Sequence, residues 1–242
     1  MPNTIIKKLF CMSFISLSSI CFANIESLKN FEKKVLLDYQ NTDYFAVNGE
    51  IEQIIVDELS LDPDSFKYDF PLFKQIGYLH TQYSPDKKLK FYTFDVSGGG
   101  TMGEWSNYVQ YYTGKNIHLD EFQAGFVLDI YSVTIQKKNV YLVKSYYKGD
   151  SCHGMYHLRA VEIGPKFLLK SYIFEAKNKK HHEMNIEYDC QYDPDRNKAS
   201  TYFRIQPNTV DVMLLNEQGI PQNKYLRYRL NQDGFHYTGI VK

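Results

Sequence analysis

Residues 88–96 read Lys-Leu-Lys-Phe-Tyr-Thr-Phe-Asp-Val, and this run has the clearest β-strand pattern in the chain. Successive side chains of a strand point to opposite sides of the sheet. One face therefore carries Leu89, Phe91, Thr93 and Asp95, and the other carries Lys90, Tyr92, Phe94 and Val96. The chain also contains 21 Tyr and 16 Phe, and aromatic residues favour the half-buried surface of a sheet. We therefore expect a mainly β protein.

Ten further runs after this one predict strands, and short turn signals such as Gly164-Pro165-Lys166 separate them. The runs are Tyr108–Tyr112, Phe126–Gln136, Val140–Tyr147, Tyr156–Ile163, Phe167–Ala176, Met184–Gln191, Ser200–Gln206, Val210–Asn216, Lys224–Leu230 and Phe235–Val241. Consecutive strands with tight turns predict an antiparallel meander, which could form a barrel, a sandwich or a partial propeller. No internal repeat is sharp enough to choose among them.

A short helical segment, at about residues 27–60, precedes the strands. Apolar residues three and four apart predict a helix over 27–38, with Glu32 on its polar face. A second helical pattern covers 50–59, with Ile51, Ile54, Ile55 and Leu59 on one side, although a strand pair would also fit it. No linker-like composition interrupts the chain, so residues 24–242 are expected to form a single domain.

The first 23 residues predict a signal peptide. Lys7 and Lys8 precede an uncharged run of about 14 residues, and cleavage is expected after Ala23. The run is shorter than the roughly 20 residues that a membrane-spanning helix needs. No later segment is apolar enough to insert stably in a membrane. The mature chain is therefore expected in the periplasm or outside the cell.

Export decides how the cysteines are interpreted. The mature chain keeps Cys152 and Cys190, and a pair of cysteines in an oxidising compartment predicts a disulfide. The bond would close a loop of about 39 residues and contribute roughly 3 to 4 kcal/mol. A metal cluster of these cysteines with His153, His157, His181 and His182 is the alternative. Oxidised cysteines are poor ligands, so we predict neither a metal nor a cofactor.

The charge balance argues against two classes of partner. The mature chain has 26 basic and 28 acidic residues, without a clustered basic patch. Nucleic acids and anionic membrane surfaces both select clustered positive charge. We therefore expect no nucleic-acid partner, and an envelope protein or a glycan is the expected partner.

The loop after the first strand is the candidate ligand- or partner-binding site. Three consecutive glycines allow close approach of a ligand or another backbone, and their amides could bind an anion. A wide turn or bulge explains the same glycines without any function. The candidate residues are Ser97, Gly98, Gly99, Gly100, Thr101, Glu104 and Trp105.

A motif of nine residues spans this strand and loop. It comprises Ser84, Asp86, Leu89, Tyr92 and Asp95, followed by Gly99, Gly100, Thr101 and Met102. It resembles a pattern in uncharacterised exported proteins of Gram-negative bacteria, a Tyr-x-x-Asp strand followed by a Gly-Gly-Thr-Met loop. The loop is also similar to the Ser/Gly-rich loop that periplasmic lysozyme inhibitors insert into an enzyme's cleft, but the rest of that motif is missing. The resemblance implies export and no particular activity.

No complete catalytic motif is present, so we predict no catalytic residues and favour a noncatalytic periplasmic or secreted binding or inhibitory protein. One alternative is an envelope hydrolase that acts on a glycan with the carboxylate pair Asp95 and Glu104. Another is a structural subunit of an envelope assembly. The many tyrosines could form a contact face for a partner, or they could be cross-strand pairs within the sheets.

Overall fold

A computed structural model describes residues 25–42, 44–97, 103–114, 116–189, 191 and 202–242. The predicted signal peptide, Gly98–Thr101 and Cys190 lie outside the described residues, so the structure does not bear on them. The chain forms two compact units, of which the first ends at Leu79 and the second begins at His80. Each is described separately below, and the single domain stays a prediction.

The first unit confirms the N-terminal helical segment. Its elements are α1 (25–40), α2 (Tyr44–Leu61), a 3-10 helix (Pro63–Lys67) and α3 (Pro71–Gln75). Ile51 and Ile55 are buried as expected, whereas Ile54 is 45% exposed, so its predicted place on the apolar side is wrong. Asp62 caps the 3-10 helix by accepting the N–H of Asp64.

The predicted solvent exposure of Glu32 is also wrong, since its side chain is fully buried. Its carboxylate accepts hydrogen bonds from the Tyr68 hydroxyl and from the N–H groups of Leu72 (2.8 Å) and Phe73 (3.1 Å). These two amides belong to the first turn of α3, where helix N–H groups have no partner within the helix. Because Phe70 has no side chain that can cap α3, Glu32 does so from α1. Three hydrogen bonds thus offset the cost of burying a carboxylate.

The strands are β1 (Leu79–Tyr83), β2 (Leu89–Asp95), β3 (Trp105–Thr113), β4 (Asn116–Glu121), β5 (Phe126–Ile135), β6 (Lys138–Lys148), β7 (His153–Ile163), β8 (Leu168–Lys170), β9 (Phe174–Ala176), β10 (Lys179–His181), β11 (Glu183–Asp189), β12 (Phe203–Gln206), β13 (Thr209–Leu215), β14 (Pro221–Leu230) and β15 (Phe235–Val241). The mainly β, antiparallel class is confirmed, and the architecture is like a sandwich. The sequence did not predict β1, β4 or β10.

The strands form three sheets rather than one consecutive meander. Sheet A has the order β1-β2-β3-β4, and sheet B has the order β11-β7-β6-β5 with β8 also paired to β7. Sheet C has the order β10-β9-β15-β14-β13-β12, in which β9 and β15 run parallel. The predicted strand 167–176 is therefore two strands, β8 in sheet B and β9 in sheet C.

Sheet B lies between the other two sheets. Its strands are apolar on both faces, and each face packs against one of those sheets. Tyr141, Val143 and Val161 pack in one core with Phe91 and Val109 of sheet A. The residues that alternate with them pack in a second core with sheet C; this core includes Val140, Leu142, Leu158, Ala160, Phe203, Val210 and Phe235. A strand buried on both sides has an almost continuous apolar sequence, as residues 140–143 do.

Candidate functional site

The face of sheet B toward sheet A is covered along only part of its length. The strand register places its residues in transverse rows across β6, β7 and β11. The rows run in order Tyr141–Val161, Val143–Arg159–Glu183, Ser145–His157–Asn185 and Tyr147–Met155–Glu187. Tyr141, Val143 and Val161 are at most 5% exposed, whereas Tyr147 is 38% exposed. We call the part of this face that contains Tyr141, Val143 and Val161 the covered half, and the part that contains Tyr147 the open half.

A groove of about 580 Å³ occupies the open half. It is lined by Tyr147, Gly149, His153, Gly154, Met155, His157, Arg159, Glu187 and Tyr188. Its volume is within the range of small-ligand sites. Its lining, which combines apolar surface with a few polar groups, is also typical of such sites. Gly154 is required at its position, because a Cβ there would lie 2.4 Å from the Tyr188 ring and 2.5 Å from the Tyr147 carbonyl oxygen.

Two buried polar atoms lie where the covered half meets the groove. Ser145 is 1% exposed and His157 is 8% exposed, and the two residues are directly opposite each other in the register. Within the described part of the chain, the Ser145 Oγ and the His157 Nδ1 have no hydrogen-bond partner. Buried polar groups are nearly always paired in folded proteins, so two adjacent exceptions call for a physical explanation.

Burial favours the neutral form of the His157 imidazole. Burial lowers its pKa, the charge of Arg159 lowers it further, and Glu183 and Asn185 oppose the shift without reversing it. Its ring packs at 61° to that of Tyr147, with 5.4 Å between the centroids. A neutral imidazole offers one N–H donor and one acceptor nitrogen.

Aspartates bind the second histidine, His153, at the outer end of the groove. Its Nδ1 lies 2.8 Å from Asp150, and its Nε2 lies 3.4 Å from Asp189. The hydrogen bond and charge of Asp150 raise the pKa of His153. Asp150 also accepts the N–H groups of His153 and Cys152, and these bonds lower its pKa to about 2. This network fixes the start of β7.

The other charges of the groove differ in their pairing. The Nε of Arg159 donates to Glu183 at 3.0 Å, and its Nη1 donates to the carbonyl oxygen of Gln123. Glu187 forms no ion pair with any described residue. The groove therefore offers one unpaired carboxylate, while Arg159 is already engaged by acceptors.

The two histidines of β7 do not form a metal site together. His153 and His157 are four residues apart on one strand, which separates them by about 13 Å. Zinc ligands lie about 2 Å from the ion, so one ion could not reach both side chains. The structure therefore gives no support to the cluster weighed from the sequence.

The predicted disulfide involves Cys152, which directly precedes β7. The N–H of Cys152 donates to Asp150 at 2.7 Å. Cys190 is outside the described residues, so the bond stays a prediction.

The described residues of the predicted glycine-loop site are Ser97, Glu104 and Trp105. The N–H and hydroxyl of Ser97 both donate to the carboxylate of Asp95, at 3.1 and 2.5 Å. Trp105 packs against Phe126 and Tyr146, with centroid distances of 5.7 and 6.2 Å. Glu104 is exposed. The strand end thus fixes both ends of the loop.

The register does not support Asp95 and Glu104 as a catalytic pair. Asp95 is opposite Trp105, and the N–H of Val96 donates to the carbonyl oxygen of Glu104. Neighbouring strand residues point to opposite faces, so the two carboxylates point away from each other. A glycosidase needs both on one side of a cleft.

Part of the motif that begins at Ser84 has a structural role. The Ser84 Oγ accepts the N–H groups of Lys88 and Leu89, and Asp86 accepts the hydroxyls of Ser84 and Tyr141. Burial opposes ionisation of Asp86, but the hydrogen bonds from Ser84 and Tyr141 outweigh it and lower the pKa. These residues close the β1–β2 hairpin and join it to sheet B.

The tyrosines form cross-strand pairs rather than one contact face. Tyr146 lies opposite Tyr156, and Tyr228 lies opposite Tyr237. Tyr111 is fully buried in the core between sheets A and B. The tyrosines are therefore spread over several faces, as expected for residues that stabilise strand pairing.

A larger groove, of about 1010 Å³, includes Lys88, Lys137 and Lys138. Lys138 pairs with Glu162 at 3.6 Å, and Lys88 lies 3.9 Å from Asp86. No unpartnered buried polar atom of the described residues lines it. The groove on sheet B is therefore the stronger candidate.

No protein-family model, characterised protein or solved structure was found to match this chain. No sequence pattern pointed to Ser145, Met155 or Glu187 as site residues, and His157 was expected only as an alternative metal ligand. One signal was present, since Ser145 interrupts an apolar run of β6 on the side occupied by Tyr141 and Val143.

Proposed function

We propose that this chain is a noncatalytic, exported binding or inhibitory protein and that the groove on sheet B is its binding site. One observation carries the proposal: a groove of ligand size includes His157, whose side chain is nine-tenths buried and has an unpartnered nitrogen among the described residues. A bound group can supply the missing hydrogen bond and thereby gain affinity. The predicted signal peptide supports the exported location.

The surroundings of Ser145 favour binding over catalysis. A serine nucleophile needs an adjacent base within hydrogen-bond reach and access to its substrate. Ser145 is opposite His157, yet its hydroxyl is unbonded and only 1% of the residue is exposed. With Asp95 and Glu104 on opposite faces as well, no described pair of residues supports the hydrolase alternative.

Of the predicted loop site, the described residue Trp105 lies close to the groove. Trp105, at the end of the loop, contacts Tyr146. The Tyr146 hydroxyl lies 2.6 Å from that of Tyr188, which lines the groove. An inhibitor that inserts a loop into a partner's cleft would use both features.

Affinity capture tests this function. Residues 24–242, folded under oxidising conditions, are immobilised and exposed to a periplasmic extract, and the retained proteins and small molecules are identified by mass spectrometry. Met155→Glu places a charge inside the groove, and Tyr237→Glu is the control because Tyr237 is a 44% exposed aromatic residue of sheet C. We expect a ligand at one-to-one stoichiometry that Tyr237→Glu retains and Met155→Glu loses.

If Met155→Glu and Tyr237→Glu retain the ligand equally, the groove is not the binding site. Turnover of peptidoglycan or of a simple ester by the purified chain, lost in Asp95→Asn, would replace binding by hydrolysis. A parallel variant with Gly98–Gly100 changed to alanine measures the contribution of the loop.

A further inference from the structure

We propose that the groove on sheet B binds a small aliphatic amine, with the ammonium at Glu187 and the carbon chain across Met155 toward Tyr147; this rests on the function proposed above. Three properties of the groove define this ligand. They are a carboxylate that lacks a cross-strand cation, an apolar row beside that carboxylate and an excess of acidic groups around the groove.

The first property comes from the pairing of β11 with β7. Alternation places four polar residues of β11 on the face that carries the groove, namely Glu183, Asn185, Glu187 and Asp189. Three of them have a polar partner directly opposite on β7, in the pairs Glu183–Arg159, Asn185–His157 and Asp189–His153. The two ion pairs have N–O distances of 3.0 and 3.4 Å. Glu187 is the exception, because the residue opposite it is Met155.

The carboxylate of Glu187 is available to a ligand. Glu187 is exposed, lines the groove and forms no ion pair with a described residue. Opposite charges on neighbouring strands stabilise each other, so a ligand ammonium at this position replaces the cation that the register does not supply. An exposed ion pair alone contributes little, and the remaining affinity has to come from apolar contact beside it.

The second property provides that apolar contact. Tyr147, Met155 and Glu187 form one transverse row across three strands, and neighbouring strands lie about 4.8 Å apart, so the row spans about 10 Å. The thioether of Met155 adapts its shape to an apolar chain. The ring of Tyr147 is 38% exposed and can accept either C–H groups or a second ammonium on its face. A short carbon chain lies along this row when its ammonium is at Glu187.

The third property is the acidic surroundings of the groove. The cationic residues of its described lining are each bound by carboxylates, in the pairs Arg159–Glu183, His153–Asp150 and His153–Asp189. With Glu187, four carboxylates thus surround two cationic groups. Such an excess attracts a cation into a cleft and opposes the entry of a phosphate or a carboxylate ligand.

Methionine methyl NMR provides the first test, because the mature chain has only Met102, Met155, Met184 and Met213. Met155 reports on the groove, and the buried Met213 is the internal control. The probes are cadaverine and spermidine, with pentanediol and glutarate as a neutral and an anionic match to the carbon chain of cadaverine. We expect the amines to shift the Met155 methyl resonance saturably, at concentrations where the diol and glutarate do not, while the Met213 resonance stays in place.

A matched pair of variants, titrated with cadaverine by isothermal calorimetry, tests the ion pair. Glu187→Gln removes the charge and keeps the shape, and we expect it to weaken binding about threefold, the value of an exposed ion pair. Glu217→Gln makes the same change at an exposed position between β13 and β14, and it should leave binding unchanged.

A second pair places opposite charges at one position. Met155→Lys and Met155→Glu both replace the thioether under the carbon chain, so both should weaken binding. Met155→Lys also supplies the missing cross-strand cation to Glu187, and we expect it to weaken amine binding more than Met155→Glu does. Only variants whose Met213 resonance matches the wild type are compared, so misfolded protein is recognised.

The outcomes distinguish this inference from the proposed function. If the diol or glutarate binds at least as tightly as the amines, or if only a fraction of a periplasmic extract shifts Met155, the amine is wrong and the binding groove stands. If neither the probes nor the extract shifts Met155, both proposals are wrong. Amine binding that Glu187→Gln leaves unchanged, or that Met155→Glu weakens as much as Met155→Lys, would contradict the place assigned to the ammonium.

Discussion

Two halves of one sheet face differ in this molecule, although the same strands build both. In the covered half, Tyr141, Val143 and Val161 are enclosed by apolar residues of sheet A. In the open half, His157 and Tyr147 occupy equivalent positions on the same strands and border a groove. The backbone register is continuous through both halves. Strand alternation thus sets the face of the sheet on which a side chain lies. Whether that face is buried as core or left open as a groove depends on the sheet that packs against it.

The largest expected effect separates the halves by stability. Phe91→Ala empties a fully buried position of sheet A that packs on the covered half, and we expect a loss of about 3 to 5 kcal/mol in the free energy of unfolding. Tyr147→Ala in the groove should cost about 1 kcal/mol or less, because that side chain is partly solvated already. Urea unfolding followed by circular dichroism measures both. Equal losses would mean that the open half is as tightly packed as the covered one.

The next effect concerns the predicted disulfide at the open end. Cys152→Ser should lower the free energy of unfolding by about 3 to 4 kcal/mol, because a closed loop of about 39 residues restricts the unfolded chain. Reducing the wild-type protein with dithiothreitol is the matched control and should give the same midpoint shift. A thiol assay of the unfolded, unreduced wild type that finds two free thiols would show that no bond had formed.

A smaller effect is opposite pH dependence at the two histidines of β7. The pKa of His157 is lowered in the fold, so its stabilising contribution is complete above its ordinary pKa and is lost as the pH falls through the lowered value. The pKa of His153 is raised, so its contribution is complete below the ordinary value and is lost as the pH rises through the raised value.

Unfolding free energies between pH 4.5 and 8.5 test this contrast. His157→Gln should reduce the loss of stability on the acid side, whereas His153→Gln should cost most on that side. The same sign for the two variants would mean that burial does not govern the pKa of His157.

The smallest effect concerns the boundary between the halves. Ser145→Ala removes a buried hydroxyl without a partner among the described residues, so we expect a change within about 0.5 kcal/mol or a gain in stability. Thr93→Val is the matched control, because the Thr93 hydroxyl donates to Asn107 at 2.8 Å and its loss should cost about 1 kcal/mol or more. If Ser145→Ala costs as much as Thr93→Val, a bound water already satisfies the serine.

Much of the fold could be predicted where a pattern is local. Alternation located β2, an apolar run located β6, and helical spacing located α1, because each pattern depends only on neighbouring residues. The prediction of one strand over 167–176 was wrong, since local sequence does not show that β8 pairs with β7 while β9 pairs with β15. Glu32 was misplaced for the same reason, because its partners are about 40 residues away.

The candidate site was less predictable than the fold. Sequence patterns favoured the loop beside Trp105, because consecutive glycines are visible in one stretch of chain. The groove combines Ser145, His157 and Glu187 from three strands, and only their register makes them neighbours. A buried atom without a partner is also a property of packing, and no sequence pattern reports it.

By itself, the sequence determined the antiparallel β class and the helical N-terminal segment, because strand alternation and helical spacing are set by the local backbone geometry. The tertiary structure alone decided that sheet B has both faces in contact with other sheets and that one face is covered along half its length. It also decided that His157 is buried at the edge of a groove, with an Nδ1 that has no partner among the described residues. Burial and hydrogen bonding depend on residues brought together from distant parts of the chain, and such pairings are fixed only when the sheets pack.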